Sequence, residues 1–310
     1  MASKRITVGV VNWFSTDFFV DLFHSLEANA SESDLEYIIC DNTNGHDRQL
    51  YETFSGNCQI IPYAPIVPKI WRRKRRFGSY AHGLGLNLLL SQVKTEFCLF
   101  VDPDCQILAK GWDVVCTSSL SDSCIAIGAP YHSSKILKYH SFPSPIFIFF
   151  KTEVLRTIKA DWTPFAQSVT EEIPDSILRI FSVLGGWLGE RLWGRSFYTS
   201  HIADQMRRLL GNSSKDTGWK IQNQVRNEGY SAQLLKPAVK KQQLASPFSE
   251  NSSIIYLMDD FELFLWRGIP FLSHYYGFGH RKKLDVAEST ARWRSLVSNI
   301  DDAIFSMGDV

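Results

Sequence analysis

The sequence lacks the features that mark membrane, secreted and nucleic-acid-binding proteins. No apolar run reaches the roughly 20 residues that span a bilayer, and the first residues contain no apolar region typical of a signal peptide. The formal net charge is only +1, so no global field favours nucleic acid as a partner. The six cysteines are scattered without a CxxC pair, which argues against a disulfide framework or a zinc site. We therefore expect a cytoplasmic protein.

The composition is that of an ordinary globular protein. Of the 310 residues, 45% are hydrophobic and 21% are charged, which is enough apolar surface for a substantial core. A basic run at residues 71–76 is the local exception in charge. It could contact a diphosphate, an anionic acceptor or the cytoplasmic face of a membrane, and a solvated charged loop is the alternative.

Strand and helix patterns alternate along the first 106 residues. Short connections between alternating strands and helices predict an α/β fold, with a mostly parallel central sheet flanked by helices. Ligands of such sheets bind at the carboxyl ends of the strands, where this sequence places Asn12, Asp41, Asp102 and Asp104. The continuous apolar runs that predict the buried strands are residues 6–11, 35–40, 59–63 and 97–101.

The segment Asp102-Pro103-Asp104 carries the main chemical signal. Two carboxylates at positions i and i+2 of an extended backbone point to the same side and can address one cation. Such a pair, with substrate phosphates as further ligands, is how Mg²⁺ or Mn²⁺ commonly serves phosphate chemistry. An isolated DxD is more often a solvated turn, but this one directly ends the apolar run at 97–101.

Four segments together resemble the GT-A glycosyltransferases, especially those of the family 2 type. They are the first strand (ITVGVVN), the second strand with its acidic exit (YIICDNTNG), a glycine-bearing helix (GSYAHGLGLNLLL) and the DxD strand (FCLFVDPDC). The resemblance covers residues 6 to about 106 and implies a GT-A-like, Rossmann-type sheet. It also implies transfer of a sugar from a nucleotide diphosphate, with Mn²⁺ or Mg²⁺ as cofactor and a UDP-sugar as the default donor.

The resemblance implies roles for particular residues of the donor site. Asp102 and Asp104 inherit the binding of the metal and the donor diphosphate. Asp41 takes the place of the acid that contacts the base or ribose, although a turn-forming Asp is the alternative. The remaining residues expected to line the donor pocket are Asn12, Gly78, His82, Gly83 and Gly85.

A catalytic base is expected at the start of a late helix in this family. Asp216 precedes a helical pattern that ends in Gly229-Tyr230, so it is the candidate for deprotonating the acceptor hydroxyl. An Asp at this position could instead be the N-cap of that helix, and the alternative acids are Glu171, Glu172 and Asp175. A base acting in a single displacement predicts inversion at the anomeric carbon.

A late histidine is a further metal ligand in many members of the fold. His274 follows a proline-led apolar step and is the better candidate, with His280 second. A lone histidine is more often a packed or surface residue, so this assignment depends on the other motifs. The basic residues 281–283 behind it could close over the diphosphate or could simply face solvent.

The second half of the chain gives weaker patterns. We expect residues 1–130 to form the donor-binding half and 131–310 the acceptor-binding and catalytic half of the same domain. Strands are predicted near 125–129 and 146–150, a long helical region at 175–210, and a helix at 218–228. The aromatic segment 181–193 suggests core packing, an interfacial helix or an acceptor platform.

Two other functions compete with glycosyl transfer. A nucleotidyltransferase uses a similar sheet and metal, but the first strand here lacks the Gly-rich basic loop expected to follow it. A catalytically silent sugar-nucleotide or glycan-binding module would have no need of a base such as Asp216. The expected acceptor is a glycan or a lipid-linked glycan, in glycan or polysaccharide biosynthesis with peripheral membrane contact.

Overall fold

The computed structural model contains two β-sheets and their flanking helices. Its first segment begins at Lys4 and the last ends at Phe305. The structure describes residues 4–66, 74–132, 139–164, 216–246, 248–275 and 286–305.

A seven-stranded sheet forms the centre of the molecule, with strand order β3-β2-β1-β4-β7-β6-β8. Strands β1 to β4 pair in parallel, β7 runs antiparallel to its neighbours β4 and β6, and β8 is parallel to β6. The predicted fold class, a mostly parallel α/β sheet flanked by helices, is confirmed. The strands of this sheet are β1 (Lys4–Asn12), β2 (Ser33–Asp41), β3 (Gln59–Pro62), β4 (Phe97–Val101), β6 (Cys124–Gly128), β7 (Phe147–Lys151) and β8 (Ser231–Leu234).

The central strands are apolar because the sheet is covered on both faces. All five residues of β4 are buried, as are the last seven of β1. A continuous run of buried apolar residues is typical of such parallel strands. The helices of this part are α1 (Thr16–Asn29), α2 (Arg48–Phe54), α3 (Lys74–Gln92), α4 (Trp112–Ser119), α5 (Thr152–Thr157) and α6 (Trp219–Asn227).

A second, four-stranded sheet lies beside the first and was not expected from the sequence. Its strand order is β5-β11-β10-β9, and each neighbouring pair is antiparallel. Its first strand follows the DxD directly, while its other strands come from the C-terminal part of the chain. The strands are β5 (Cys105–Ile107), β9 (Lys236–Pro237), β10 (Glu262–Trp266) and β11 (Ile269–His274).

Two helices pack with the second sheet around a smaller apolar core. These are α7 (Ser252–Asp260) and α8 (Val286–Phe305). Trp293 of α8 is fully buried and belongs to this core. The chain after Ser246 thus folds back over the protein, although it does so through a β-hairpin as well as helices.

The predicted strands of the second half correspond to β6 and β7, and the helix predicted at 218–228 corresponds to α6. The long helical region at 175–210 lies outside the described residues. Among the residues that the structure describes, no helix combines the length and apolarity that crossing a membrane requires.

Candidate metal centre

The DxD lies where the two sheets meet. The backbone N–H of Asp102 donates to the carbonyl oxygen of Ile146, just before β7, at 3.1 Å. Asp104 immediately precedes β5, and its carbonyl oxygen accepts from the backbone N–H of Tyr275 at 3.0 Å. Both ends of the motif are therefore held by backbone hydrogen bonds, one toward each sheet.

The pairing of β5 with β11 brings His274 to the DxD. Cys105 stands opposite His274 in the ladder, so the histidine lies next to Asp104. Its Nε2 is 3.2 Å from Oδ1 of Asp104 and 3.9 Å from Oδ2 of Asp102. One ligand atom from each of the three residues lies within 4.8 Å of the other two.

Glu262 contacts the other nitrogen of the same imidazole. Its Oε2 lies 2.8 Å from Nδ1 of His274, and the two side chains are 1% and 2% exposed. A carboxylate on the second ring nitrogen is the usual companion of a metal-ligating histidine, because it fixes the tautomer and orients the ring. The sequence alone gave no sign of Glu262, which reaches His274 only through the pairing of β10 with β11.

The carboxylates around His274 strongly favour its protonated form. Burial by itself lowers the pKa of His274, but the charges and hydrogen bonds of Asp104 and Glu262 outweigh burial and raise the pKa to about 10. A cation is therefore favoured at this position. A metal ion bound between Nε2 and the DxD carboxylates would take the place of that proton.

His82 approaches the DxD from α3. Its Nε2 is 3.5 Å from Oδ1 of Asp102, the oxygen of that carboxylate not directed to His274. Burial lowers the pKa of His82 below its usual value, although the charges of Asp102 and Asp104 oppose this. The predicted donor-pocket residue thus adjoins the candidate metal centre.

The donor atoms of the cluster fit a hard or borderline divalent cation. Two carboxylates and one imidazole suit Mn²⁺ and, through the oxygens, Mg²⁺. The nearby thiol of Cys105 is directed to the carbonyl oxygen of Ile146, 3.3 Å away. The cluster therefore presents oxygen and nitrogen ligands rather than sulfur.

Asn12 and Asp41 lie side by side at the carboxyl ends of β1 and β2, where they pair in register. Both are fully buried, and Nδ2 of Asn12 donates to Asp41 and to Asp47. Burial by itself raises the pKa of Asp41, but the hydrogen bonds it accepts lower the pKa below its usual value. The further donors to its carboxylate are the Thr43 backbone and hydroxyl, the Gly45 backbone and the Tyr51 hydroxyl.

This arrangement makes the Asp41 carboxylate the centre of a turn. Each of its oxygens already accepts from groups of the loop that follows β2. The geometry therefore gives Asp41 a structural part in shaping the edge of the sheet, in agreement with the turn-forming alternative. Contact with a base or ribose remains a prediction.

Asp216 is buried directly before α6. The N-cap of that helix is Gly218, with φ 82°, so the N-cap interpretation of Asp216 is wrong. Oδ1 of Asp216 instead accepts from the backbone N–H of Thr217 at 2.8 Å. The hydroxyl of Tyr139 donates to the carbonyl oxygen of Thr217 at 2.8 Å. Burial, together with the nearby charge of Asp102, raises the pKa of Tyr139. Tyr139 thus holds the segment that follows Asp216 by a hydrogen bond.

The glycines of α3 divide into two kinds. A Cβ on Gly83 would lie 2.6 Å from the carbonyl oxygen of Trp162, and one on Gly85 would lie 3.0 Å from Val11. These two glycines therefore allow close packing inside the protein, and the expectation that they face the ligand is wrong. Gly78 is exposed, with no atom within 4 Å of a Cβ built on it.

Several predicted residues lie outside the described segments. The first part of the basic run, residues 71–73, is among them, whereas 74–76 begin α3. The others are Glu171, Glu172, Asp175, the aromatic segment 181–193, His280 and the basic residues 281–283.

No protein-family model and no curated protein matches the chain. Among solved structures, it is similar to the mannosyltransferase PcManGT from Pyrobaculum calidifontis in complex with GDP-Man and Mn²⁺, at 15% identity and a TM-score of 0.36, over 51% of this chain and 49% of that one. It is similar to S. aureus TarS 1-349 in complex with UDP, at 20% identity and a TM-score of 0.37, over 51% and 50%.

A third similar structure is glucosyl-3-phosphoglycerate synthase from Mycobacterium tuberculosis in complex with Mn²⁺, UDP and glucosyl-3-phosphoglycerate. It is 13% identical with a TM-score of 0.36, over 50% of this chain and 59% of that one. The chain thus spans about half the length of the first structures that it matches. At this degree of similarity the function has to be argued from the site itself, which joins two carboxylates and a carboxylate-bound histidine at the carboxyl end of a central strand.

Proposed function

We propose that the protein is a metal-dependent glycosyltransferase that moves a sugar from a nucleotide-diphosphate sugar to an acceptor hydroxyl. The observation that carries this proposal is the cluster of Asp102, Asp104 and His274, with Glu262 on the second nitrogen of the histidine. The cluster lies at the carboxyl end of β4, the edge of the sheet where α/β proteins bind their ligands.

Asp102, Asp104 and His274 are the residues that would hold Mn²⁺ or Mg²⁺. A divalent ion bound there supplies positive charge to the diphosphate leaving group. In this proposal His82, which lies beside Asp102, contacts the donor. The buried network of Asn12 and Asp41 shapes the neighbouring edge of the sheet, where we place the nucleoside.

Asp216 is the proposed general base. Its carboxylate would take the proton of the acceptor hydroxyl as the new glycosidic bond forms, a contribution of about 10²- to 10⁴-fold to the rate. Direct displacement by this route gives inversion at the anomeric carbon. In this proposal residues 1–130 bind the donor and residues 131–310 bind the acceptor, a glycan or lipid-linked glycan.

Calorimetric titration of UDP, GDP and dTDP, with and without Mn²⁺, tests the donor site. We expect one nucleotide to bind in a metal-dependent manner to the wild type, and the Asp104→Ala variant to lose that dependence because the cluster loses a carboxylate. Absence of nucleotide binding under every metal condition would contradict the proposal. Binding without transfer to any acceptor would instead indicate a catalytically silent sugar-nucleotide-binding module.

A further inference from the structure

Glu262 is a carboxylate in a place where burial is costly. It begins β10 and is only 1% exposed, and the next three strand residues are buried and apolar. Burying a charged group costs several kcal/mol unless it is paired and hydrogen-bonded. An uncharged residue would fill the same space at less cost, so the charge itself calls for an explanation.

The β10–β11 hairpin places this carboxylate opposite His274 through an irregularity in its pairing. The hairpin turns at Arg267 and Gly268, both with positive φ, and begins by pairing Trp266 with Ile269. Regular pairing from that turn would set Glu262 opposite Ser273. A bulge between Phe264 and Leu265 shifts the register by one residue, so that Glu262 pairs with His274.

The residues on both sides of His274 are held by other contacts. The hydroxyl of Ser273 accepts from Nε1 of Trp293 at 2.8 Å, and the N–H of Tyr275 donates to Asp104. The orientation of the imidazole about its own side-chain bonds is the freedom that remains. The contact of Nδ1 with Glu262 at 2.8 Å restricts that freedom.

We propose that Glu262 is a positioning residue that holds the proton of His274 on Nδ1, directs Nε2 toward the DxD, and makes the site prefer Mn²⁺ over Mg²⁺. This inference rests on the proposed function, because it concerns the same metal centre. An anionic partner increases the donor strength of the opposite ring nitrogen. Imidazole suits transition metals, whereas Mg²⁺ favours oxygen ligands, so a stronger nitrogen donor benefits Mn²⁺ more.

The variant Glu262→Gln tests the effect of the negative charge alone. It keeps the shape of the side chain and an oxygen that can accept from Nδ1, but it removes the negative charge. Asp260→Asn is the matched control. Asp260 is a buried acid near the same hairpin, but its carboxylate pairs with Arg292 of α8. Glu262→Ala is the second variant, which removes both the charge and the hydrogen bond. Circular dichroism establishes that each variant is folded.

Binding of Mn²⁺ alone is measured by the electron paramagnetic resonance signal of the free ion, and binding of Mg²⁺ by competition. We expect Glu262→Gln to weaken Mn²⁺ binding about 10- to 100-fold, to weaken Mg²⁺ binding much less, and thereby to reduce the Mn²⁺ preference. Glu262→Ala should weaken Mn²⁺ binding at least as much, and Asp260→Asn should bind both ions as the wild type does.

Two results would overturn the inference while leaving the proposed function intact. One is wild-type Mn²⁺ affinity in both Glu262 variants. The other is an equal loss for Mn²⁺ and Mg²⁺, which would indicate that Glu262 merely supports the hairpin. A wild-type protein that binds neither ion would contradict the metal centre itself, and the proposed function together with this inference.

Discussion

Replacing Gly83 by alanine should destabilise the protein, although a change from glycine to alanine inside a helix usually stabilises it. Gly83 lies inside α3, where alanine is favoured over glycine by about 1 kcal/mol on propensity alone. The segment around Trp162 crosses α3 at this point, and its backbone N–H donates to Asn87, one turn further along the helix. A Cβ on Gly83 would meet the carbonyl oxygen of Trp162 at 2.6 Å and the Cα of Thr163 at 2.8 Å.

The loss of stability can be estimated from the atoms that the added Cβ would displace. The contact with Thr163 is shorter than the roughly 3.5 Å of an ordinary contact between carbon atoms, and both contacts involve backbone rather than a flexible side chain. Overpacking of this kind costs about 1–3 kcal/mol. After subtracting the propensity gain, we expect the free energy of unfolding to fall by up to about 2 kcal/mol.

The same carbonyl oxygen links this prediction to the candidate base. It accepts from the backbone N–H of Gly218 at 2.9 Å, two residues after Asp216. Displacing Trp162 therefore displaces the Asp216 segment, and a shift of about 1 Å at a reacting group can cost up to about 100-fold in rate. We expect Gly83→Ala to lower the rate of sugar transfer as well as stability.

Urea unfolding measures the free energy, and Gly78→Ala is the matched control for stability. Gly78 belongs to the same helix but is exposed, with nothing within 4 Å of an added Cβ. Alanine there should leave stability unchanged or raise it by up to about 1 kcal/mol. If Gly83→Ala shifted stability in the same direction as Gly78→Ala, the close approach of Trp162 to α3 would be refuted.

Two further substitutions address the base and a buried carboxylate. Asp216→Asn should lower kcat of transfer by about 10²- to 10⁴-fold with nucleotide binding unchanged. The wild-type product should show an inverted anomeric centre by NMR, and a retained configuration would argue against this base. Burial by itself raises the pKa of Asp113, but the hydrogen bonds it accepts from the backbone N–H groups of Ser31 and Glu32 lower the pKa below its usual value. Its stabilisation is therefore present at neutral pH and lost as pH falls through the folded-state pKa, below about 4. Asp113→Asn should cost about 1.5–3 kcal/mol at pH 7, and an undiminished cost in urea unfolding at pH 3 would contradict this assignment.

The parts of the fold predicted from sequence are those with a strong local pattern. The four parallel strands β1 to β4 are continuous apolar runs, and the polar residues that follow them mark the carboxyl edge of the sheet. The placement of His274 beside Asp102 and Asp104 was implied by resemblance, and the structure brings the three together. Periodicity alone could not have paired residues so distant in the chain.

The second sheet could not be predicted from the sequence because two of its strands are very short. Strand β5 has three residues and β9 has two, which is too short for alternation to show. The partnership of Glu262 with His274 depends on the bulge in β10–β11, and counting from the turn would have paired Glu262 with Ser273. Gly83 and Gly85 instead make room for other parts of the protein, because a glycine allows close approach of a backbone segment, as at Trp162, or of a side chain, as at Val11, as readily as of a ligand.

The pairing of β5 with β11 also sets when the candidate metal centre can be completed during synthesis. Asp102 and Asp104 leave the ribosome early, but His274 and Glu262 follow about 170 residues later, a delay of roughly 10–30 s at about 5–20 residues per second. A nascent chain would therefore carry the carboxylates without their histidine while these residues are being added. Chains that stop before the hairpin would hold the two carboxylates of the candidate metal centre without the histidine and its glutamate.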